Sequence, residues 1–149
     1  MDSKLFANMD TKTKEAFLQL CKKEPVKIGT VIKKEGAKTD KAFFLLEGTV
    51  SVKKSSSQGE MEVAIIKGGE DVLFSFTCMI DGGKSLTTIE ATSDCVLLSF
   101  TKREFLHFCT QNPQAGNQML INALSMMAAF LRKSDEKIAQ MYQTLEEVL

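Results

Sequence analysis

The segment DKAFFLLEGTV, residues 40–50, decides how the central part of the chain is interpreted. An aromatic and aliphatic run, Phe43–Leu46, is separated by Gly48 from a second apolar run, Val50–Val52. Short runs of this composition are typical of β-strands. A glycine between them is typical of a sharp reversal, because glycine tolerates positive φ and close backbone approach. The segment therefore predicts strands that meet at a barrel corner.

The same pattern of short apolar runs and turn residues extends from residue 26 to residue 100. Ser55–Gly59 is predicted as a hairpin loop that joins Thr49–Lys54 to Glu60–Ile66. Short strands at this spacing indicate an all-β barrel or sandwich. The other runs are Val31–Ile32, Val63–Ile66 and Cys95–Leu98, and the other turns contain Gly29, Gly36, Gly68–Gly69 and Gly82–Gly83.

A helix is predicted before this region, over residues 5–23. Asp10 is a suitable N-cap, and Lys22 and Lys23 suit the negative end of the helix dipole. Pro25 is expected to end the helix.

Helical patterns return at residue 101. Thr101–Glu104 reads TKRE, a capping box, and Phe100 and Phe105 are placed for a hydrophobic staple around it. Asn112 and Pro113 follow the preferred order of N-cap and first helical residue, which predicts a second helix start.

The last third of the chain carries an apolar repeat with alternating steps of four and three residues. A 3.5-residue period is typical of a coiled-coil seam, and we predict that this helix pairs with its copy in a homodimer. The alternative is a helix that packs on its own barrel, which needs no strict period. Ser134 is the one polar member and is interpreted as a register-setting residue. The seam comprises Leu120, Leu124, Met127, Leu131, Ser134, Ile138, Met141, Leu145 and Val148.

Composition limits the remaining choices. The chain has 149 residues, of which 44% are hydrophobic and 26% charged, as expected for one globular domain over residues 1–149. Nineteen basic and nineteen acidic residues give no net charge, which argues against a nucleic-acid-binding surface. No apolar run is long enough to span a membrane, and residues 1–4 do not open a signal peptide, so we expect a cytoplasmic protein.

Metal and catalytic chemistry are not expected. His107 is the single histidine, and it is interpreted as a helix-surface residue. The four cysteines, at positions 21, 78, 95 and 109, form no C-x-x-C pair, so we predict buried reduced thiols and no metal site. There is no P-loop, nucleophile elbow or dinucleotide fingerprint, and no catalytic residues or cofactor are assigned.

The order of these elements resembles the cyclic nucleotide-binding domain family, the sensor domain of catabolite-activator-like regulators. The resemblance rests on Leu5-Phe6 with the Asp10–Lys23 helix, on Gly29–Gly36, and on residues 40–50. It implies an α+β fold: a jelly-roll-like β-roll over 26–100, an N-terminal helix over 5–23, and C-terminal helices over 101–149 that include a long dimerisation helix.

The resemblance also implies where a ligand would bind. In the family, a short helix offers backbone N–H groups to the cyclic phosphate, a Phe-Gly-Glu segment binds the ribose, and a Pro-Arg-Ala-Ala-Thr segment pairs an arginine with the phosphate. The segments similar to these are 74–80 and 84–91. Ser75 then replaces the glycine, Phe76 the glutamate and Ser85 the arginine. The turn 69–73 is longer than in the family, which leaves room for a one-residue shift, but no arginine precedes Arg103.

These replacements predict that cAMP is not bound in the usual way. Removing one partner of a desolvated charge pair costs about 2–5 kcal/mol, or roughly thirty- to several-thousand-fold in affinity. Phe74, Phe76 and Met79 make the pocket more apolar, so it is expected to be empty or to take another ligand. Lys84 compensates only as a point charge.

Eight residues are the candidate pocket residues, and each has a structural alternative. Phe74 and Phe76 are ligand stackers or, as we favour, barrel core. Lys84 and Ser85 bind an anion or form a solvated turn. Ser134 could also reach a ligand of the partner, since in the family the dimer helix helps to cover the pocket. The candidates are Phe74, Ser75, Phe76, Thr77, Lys84, Ser85, Thr87 and Thr88.

The sequence thus predicts a non-enzymatic, dimeric regulatory or sensor protein that acts through contacts with an unidentified protein partner. Regulators of this family continue from the long helix into a helix-turn-helix domain, whereas this sequence ends at Leu149, so no DNA-binding domain is expected. Two alternatives remain open. One is a genuine cAMP or cGMP sensor that uses Lys84 with the Ser85, Thr87 and Thr88 hydroxyls, and the other is a purely structural dimerisation module.

Overall fold

The computed structural model describes residues 3–69 and 72–149. Two antiparallel four-stranded sheets form a β-roll, and helices precede and follow it, which confirms the predicted α+β fold. A 3-10 helix at Lys4–Phe6 is followed by α1 (Thr11–Leu20), β1 (Lys22–Val26), β2 (Val31–Lys33), β3 (Lys41–Glu47), β4 (Thr49–Ser56), β5 (Gly59–Lys67), β6 (Leu73–Phe74), α2 (Phe76–Asp81), β7 (Thr88–Ala91), β8 (Cys95–Thr101), α3 (Lys102–Gln111) and α4 (Pro113–Val148). The strand orders are β1-β8-β3-β6 and β2-β7-β4-β5.

The corner predicted at Gly48 is confirmed. Gly48 has φ 93° and connects β3 in one sheet to β4 in the other. A Cβ at this position would meet the carbonyl oxygen of Asp94 and would lie 2.7 Å from the sulfur of Cys95. The residue must therefore be glycine both for its dihedral angle and for the space around it.

The hairpin between β4 and β5 is tighter than predicted. The strands pair as far as Ser56 and Gly59, so the loop contains two residues rather than the predicted Ser55–Gly59. The hydroxyl of Ser56 donates to the carbonyl of Gly59 at 2.7 Å and closes the turn. The hairpin tip is exposed, so polar residues occupy strand positions at no desolvation cost.

The N-terminal prediction is partly wrong. The predicted helix over 5–23 is two shorter pieces, and α1 ends at Leu20. Lys22, Lys23 and Pro25 belong to β1, which pairs with β8, so the lysines do not complement a helix dipole. Because β1 is an edge strand, it tolerates a proline without N–H. The roll consequently starts at Lys22 rather than at residue 26.

Two of the three predicted helix caps are confirmed. The Asp10 carboxylate accepts from the N–H of Thr13 at 2.7 Å. Thr101 and Glu104 form the reciprocal capping box at the start of α3. Asn112 is different: Pro113 does start α4, but the Asn112 side chain donates to the Phe108 carbonyl instead of capping.

Two apolar clusters hold the molecule together. The first lies between the roll and the helices, where the ring of Phe17 lies 5.0 Å from that of Phe100 and 5.1 Å from that of Phe108. The second fills the roll, where Phe43 and Phe74 stack at 5.3 Å. Phe100 and Phe105 of the predicted staple lie 5.9 Å apart in the first cluster.

Helix α4 belongs to the first cluster through its N-terminal part only. Met119 and Ala123 are buried in that cluster. Gly116 crosses α3 so closely that a Cβ would lie 2.7 Å from the Cα of Cys109. The amide of Asn122 donates to the carbonyls of Leu5 and Ala7, both at 2.8 Å, and ties the 3-10 helix to α4.

Within residues 3–69 and 72–149, no helix is long and apolar enough to cross a membrane. The predicted turn 69–73 includes Glu70 and Asp71, and the predicted N-terminal start includes Met1 and Asp2; these four residues lie outside the described residues.

Candidate functional site

The entrance of α2 has an unusual backbone. Ser75 adopts φ 66° and ψ 8°, a left-handed conformation that glycine adopts most easily and other residues adopt at a cost. This is the residue to which the sequence resemblance assigns the place of a glycine. Its side chain is 6% exposed, and among the described residues its hydroxyl has no hydrogen-bond partner.

The two phenylalanines beside Ser75 are core residues. Phe74 belongs to the cluster inside the roll, and its ring stacks on that of Phe43. Phe76 points to the other side, where its ring meets that of Phe105 edge-on at 5.4 Å. The position that the resemblance assigns to a ribose-binding carboxylate therefore holds an aromatic ring packed between the roll and α3. Thr77 is exposed and faces neither cluster.

Ser85 is committed to internal hydrogen bonds. It is 2% exposed, and its hydroxyl donates to the carbonyl of Thr87 at 2.6 Å. Its backbone N–H donates to Ala37, and its carbonyl accepts from Gly36. The residue in the place of the phosphate-binding arginine thus shapes a turn, and its hydroxyl hydrogen is already donated.

The other candidates from this segment lie close to Ser85 but are less buried. Lys84 is exposed and forms an isolated β-bridge with Lys38. The Thr88 hydroxyl accepts from the N–H of Glu35 at 2.9 Å. Thr87 is half-buried. The structure therefore brings residues 84–88 together with the loop 34–38 as one ribbon, in which Lys84 is solvated.

Sequence reasoning missed Lys33. In the pairing of β2 with β7, Val31 opposes Glu90 and Lys33 opposes Ile89, so two steps along β2 match one step along β7. This irregularity is a β-bulge, and it places Lys33 across from a residue that is 2% exposed inside the roll. Burial lowers the pKa of the Lys33 ammonium, and the thiol of Cys78 on α2 acts on it in the opposite direction.

Lys33 of β2 and the lysines of this ribbon differ from Lys53 on the neighbouring strand β4. Lys53 on β4 lies 2.7 Å from the carboxylate of Glu90, and this hydrogen bond raises the pKa of Lys53. Lys33, Lys38 and Lys84 form no salt bridge with any described residue. These three lysines therefore differ from Lys53, which has a carboxylate partner.

The thiols are protected rather than reactive. All four cysteines are free, and each is buried or half-buried, as predicted. Burial, assisted by the charge of Glu104, raises the pKa of Cys21 to about 12, and burial also raises the pKa of Cys109. His107 lies exposed on α3, as predicted. No group of three metal-ligating side chains occurs among residues 3–69 and 72–149.

A groove of about 360 Å³ lies away from the roll, between the start of α1 and the start of α4. Its lining is mostly polar and includes Asn8, Asp10, Asn112 and Gln118. The carboxylate of Asp10 is already occupied by its capping bond to Thr13, and that bond lowers its pKa. None of the predicted pocket residues lines this groove.

Comparison with protein families identifies one match. The sequence profile described as "Cyclic nucleotide-binding domain" matches residues 23–112, which contain the roll except for the first residue of β1, together with α3. A search of curated proteins finds no match.

Solved structures with the same fold include several regulators. The catabolite activator protein of Thermus thermophilus superposes with a TM-score of 0.83 at 21% identity, over 93% of this chain and 63% of that protein. A cyclic nucleotide-binding domain from Methylobacillus flagellatus gives 0.80 at 20% identity, over 89% of this chain and 74% of that one. The sensor domain of the transcriptional regulator DNR from Pseudomonas aeruginosa gives 0.65 at 17% identity, over 91% and 85%. The chain spans about 63% of the length of the Thermus thermophilus protein, and at these identities the likeness concerns the fold.

Proposed function

The chain belongs to the cyclic nucleotide-binding domain family, and on that premise we propose that it is a non-enzymatic regulatory sensor module that works as a homodimer and does not bind cAMP in the usual way. Its output is contact with another protein. A ligand in the roll would act by shifting the position of α4 relative to the roll.

The proposal rests mainly on the contacts of Phe76 and Ser85, which stand where the family resemblance expects the ribose-binding glutamate and the phosphate-binding arginine. Phe76 is packed against Phe105 in the core, so no carboxylate is available there for a ribose. The hydroxyl of Ser85 donates to Thr87, so it is not free for a phosphate. The nearest exposed cation in that segment is Lys84, and an exposed charge contributes far less than a desolvated one.

The exposed seam of α4 supports the homodimer. Leu131, Ile138, Met141 and Leu145 are each at least half exposed although they follow the repeat of a coiled coil. Apart from Met127, the seam is not the face by which α4 packs on the rest of the monomer, which uses Met119 and Ala123. An apolar stripe that the monomer does not need is typical of a partner surface.

Calorimetry with cAMP and with cGMP tests the ligand part of the proposal. We expect dissociation constants in the millimolar range for both. A dissociation constant below about 10 μM for either nucleotide would overturn the proposal and favour the genuine sensor. Lys84→Ala then serves as the control, because that alternative assigns the phosphate to Lys84 and predicts a clear loss of affinity in the variant.

Sedimentation at tens of micromolar tests the dimer. We expect about twice the monomer mass, and truncation after Arg132 is expected to lower that mass because it removes half of the seam. A monomer at this concentration would contradict the coiled pairing. The cytoplasmic location remains a prediction from the sequence.

A further inference from the structure

We infer that the free edge of β5 is the surface through which the module contacts its protein partner. The partner supplies an extended segment that contains apolar and basic residues, and this segment adds to the sheet as a further strand. The inference rests on the proposed function, because it names the surface and the kind of partner that the proposed protein contact requires.

The four edges of the two sheets differ in how they are protected against pairing with another chain. β6 contains two residues and β2 contains three, and β2 also has a bulge. β1 carries Pro25 and the charges of Lys22 and Lys23. Short strands, bulges, prolines and lysines are the usual features that prevent a further strand from pairing at an edge. Three of the four edges are therefore protected.

β5 is the exception. It extends over nine residues, Gly59–Lys67, without a proline, and among the described residues it pairs with β4 alone. Met61, Val63 and Ile65 are 49%, 49% and 60% exposed. The bulge at Val63 interrupts the pairing with β4 at one point, and strand pairs continue on both sides of it. A long, exposed, apolar edge of this kind is a surface on which extended segments add as strands.

The charges beside β5 determine which segment fits. The ammonium of Lys53 lies 2.7 Å from the carboxylate of Glu90 and 3.7 Å from that of Glu60. The carboxylate of Glu62 accepts a hydrogen bond from the buried hydroxyl of Ser51. Three carboxylates thus contact a single ammonium within the described part of the chain. This surplus of negative charge favours lysine or arginine opposite Glu60 and Glu62, because opposite charges across a strand pair attract each other.

The other neighbour of β5 shows a composition that pairs with it. β4 has the sequence TVSVKKSS, in which Lys53 opposes Glu62 and the two valines oppose the apolar end of β5. A partner segment with valines and lysines at the same spacing can pair with the free edge in the same antiparallel orientation. A peptide with the sequence of residues 49–56 is therefore a suitable probe of this edge.

Nuclear magnetic resonance of the full chain tests the inference. The peptide is titrated into the isotopically labelled protein while the backbone amides are followed. We expect saturable shifts along β5 and slower hydrogen exchange of those N–H groups of β5 that do not bond to β4. The same peptide with glutamine in place of both lysines should bind about two- to tenfold more weakly, because it loses the attraction to Glu60 and Glu62.

Val63→Lys and Val31→Lys form a matched pair of variants. The two valines are 49% and 50% exposed, and Val31 lies on the opposite edge of the same sheet, in β2. Both variants should fold, since neither side chain is buried. Val63→Lys should weaken the peptide about tenfold, because it replaces an apolar contact by a charge that repels the basic segment. Val31→Lys should leave the affinity within about twofold.

The inference is overturned if the peptide causes no saturable change along β5, if the glutamine peptide binds equally well, or if the two variants weaken binding equally. Shifts along β5 that depend on protein concentration without peptide would assign the edge to a second copy of this chain, and would also overturn it. These outcomes leave the α4 dimer and the rejection of cAMP intact. Micromolar binding of cAMP, or a monomeric mass, would instead overturn the proposed function.

Discussion

The two halves of α4 follow the same apolar repeat but have opposite surroundings. In the first half, Gly116, Met119, Asn122 and Ala123 are buried against the 3-10 helix, α3 and the roll. From residue 132 onwards every residue is exposed except Ser134, which is half-buried. One helix therefore contains a part that completes the core and a part that the monomer leaves uncovered.

The difference shows that the inward face and the seam are separate surfaces. Met119 and Ala123 point into the core, whereas Leu120, Leu124 and Leu131 are exposed. Of the predicted seam, Met127 packs against the monomer's own core from a half-buried position. Folding of the monomer depends on the first surface, and the apolar content of the second requires a different explanation, which the proposed homodimer would provide.

The largest effect is expected in the first half. Met119→Ala should lower the free energy of unfolding by about 2–5 kcal/mol, because Met119 is fully buried and its removal leaves a cavity. Ile121→Ala, which truncates a residue that is 57% exposed, is the matched control and should change stability by less than about 0.5 kcal/mol. Urea unfolding at low protein concentration measures both. Equal losses would mean that the first half of α4 is not part of the core.

The second effect is expected in the other half, on association. Leu145→Asp places a charge in the predicted seam and should raise the dimer dissociation constant about 100-fold, or ~2.7 kcal/mol, by sedimentation. Gln140→Asp adds the same charge outside the seam and should leave the mass unchanged. If both variants dissociate equally, the repeat does not define the contact.

Asn122→Ala tests how the first half is tied to the N-terminal residues. The carbonyls of Leu5 and Ala7 would lose their donor, which should cost about 1–3 kcal/mol. Gln118→Ala is the control, since it removes only the bond to the Asn122 side-chain oxygen and should cost less. Chemical unfolding compares the two, and a smaller loss for Asn122→Ala would contradict the assignment.

The smallest effect at neutral pH concerns Cys21, which borders the core that α4 completes. Its pKa is raised from 9.0 to about 12, so above pH 9 the unfolded chain loses this proton while the folded chain keeps it. The contribution of the Cys21 thiol to the free energy of unfolding is therefore complete below pH 9 and is lost as the pH rises from 9 towards 12. Cys21→Ala should therefore show a weaker decline of stability between pH 9 and pH 11. Parallel curves for the two proteins would show that the thiol titrates normally.

The sequence predicts those parts of the fold in which local signals agree with tertiary contacts. The capping box at Thr101 and the corner at Gly48 are local, and both are confirmed. The prediction of where the first helix ends was wrong. The sequence of Lys22–Val26 is typical of a polar helix end, but this segment pairs with β8 and is therefore a strand. Long-range pairing of this kind leaves no local pattern.

The candidate site was less predictable for the same reason. Phe74 and Phe76 were correctly favoured as core, because aromatic residues on short elements usually pack. Lys33 was missed because strict alternation in a strand groups it with Val31, and only the bulge against Ile89 turns it inward. A bulge depends on both partner strands, so a single strand's sequence does not reveal it.

The close crossing of Gly116 with Cys109 would be the pivot point for any movement of the rest of α4 relative to α3. Because Gly116 has no side chain, its backbone lies directly against Cys109, so a tilt of α3 would be passed on to α4 at this one point. The helix from Gly116 to Val148 spans 32 residue steps, which at 1.5 Å each give a lever arm of ~48 Å. A rotation of one degree at the crossing displaces the far tip by ~0.8 Å, so a very small adjustment near the roll becomes a motion of atomic size at the opposite end.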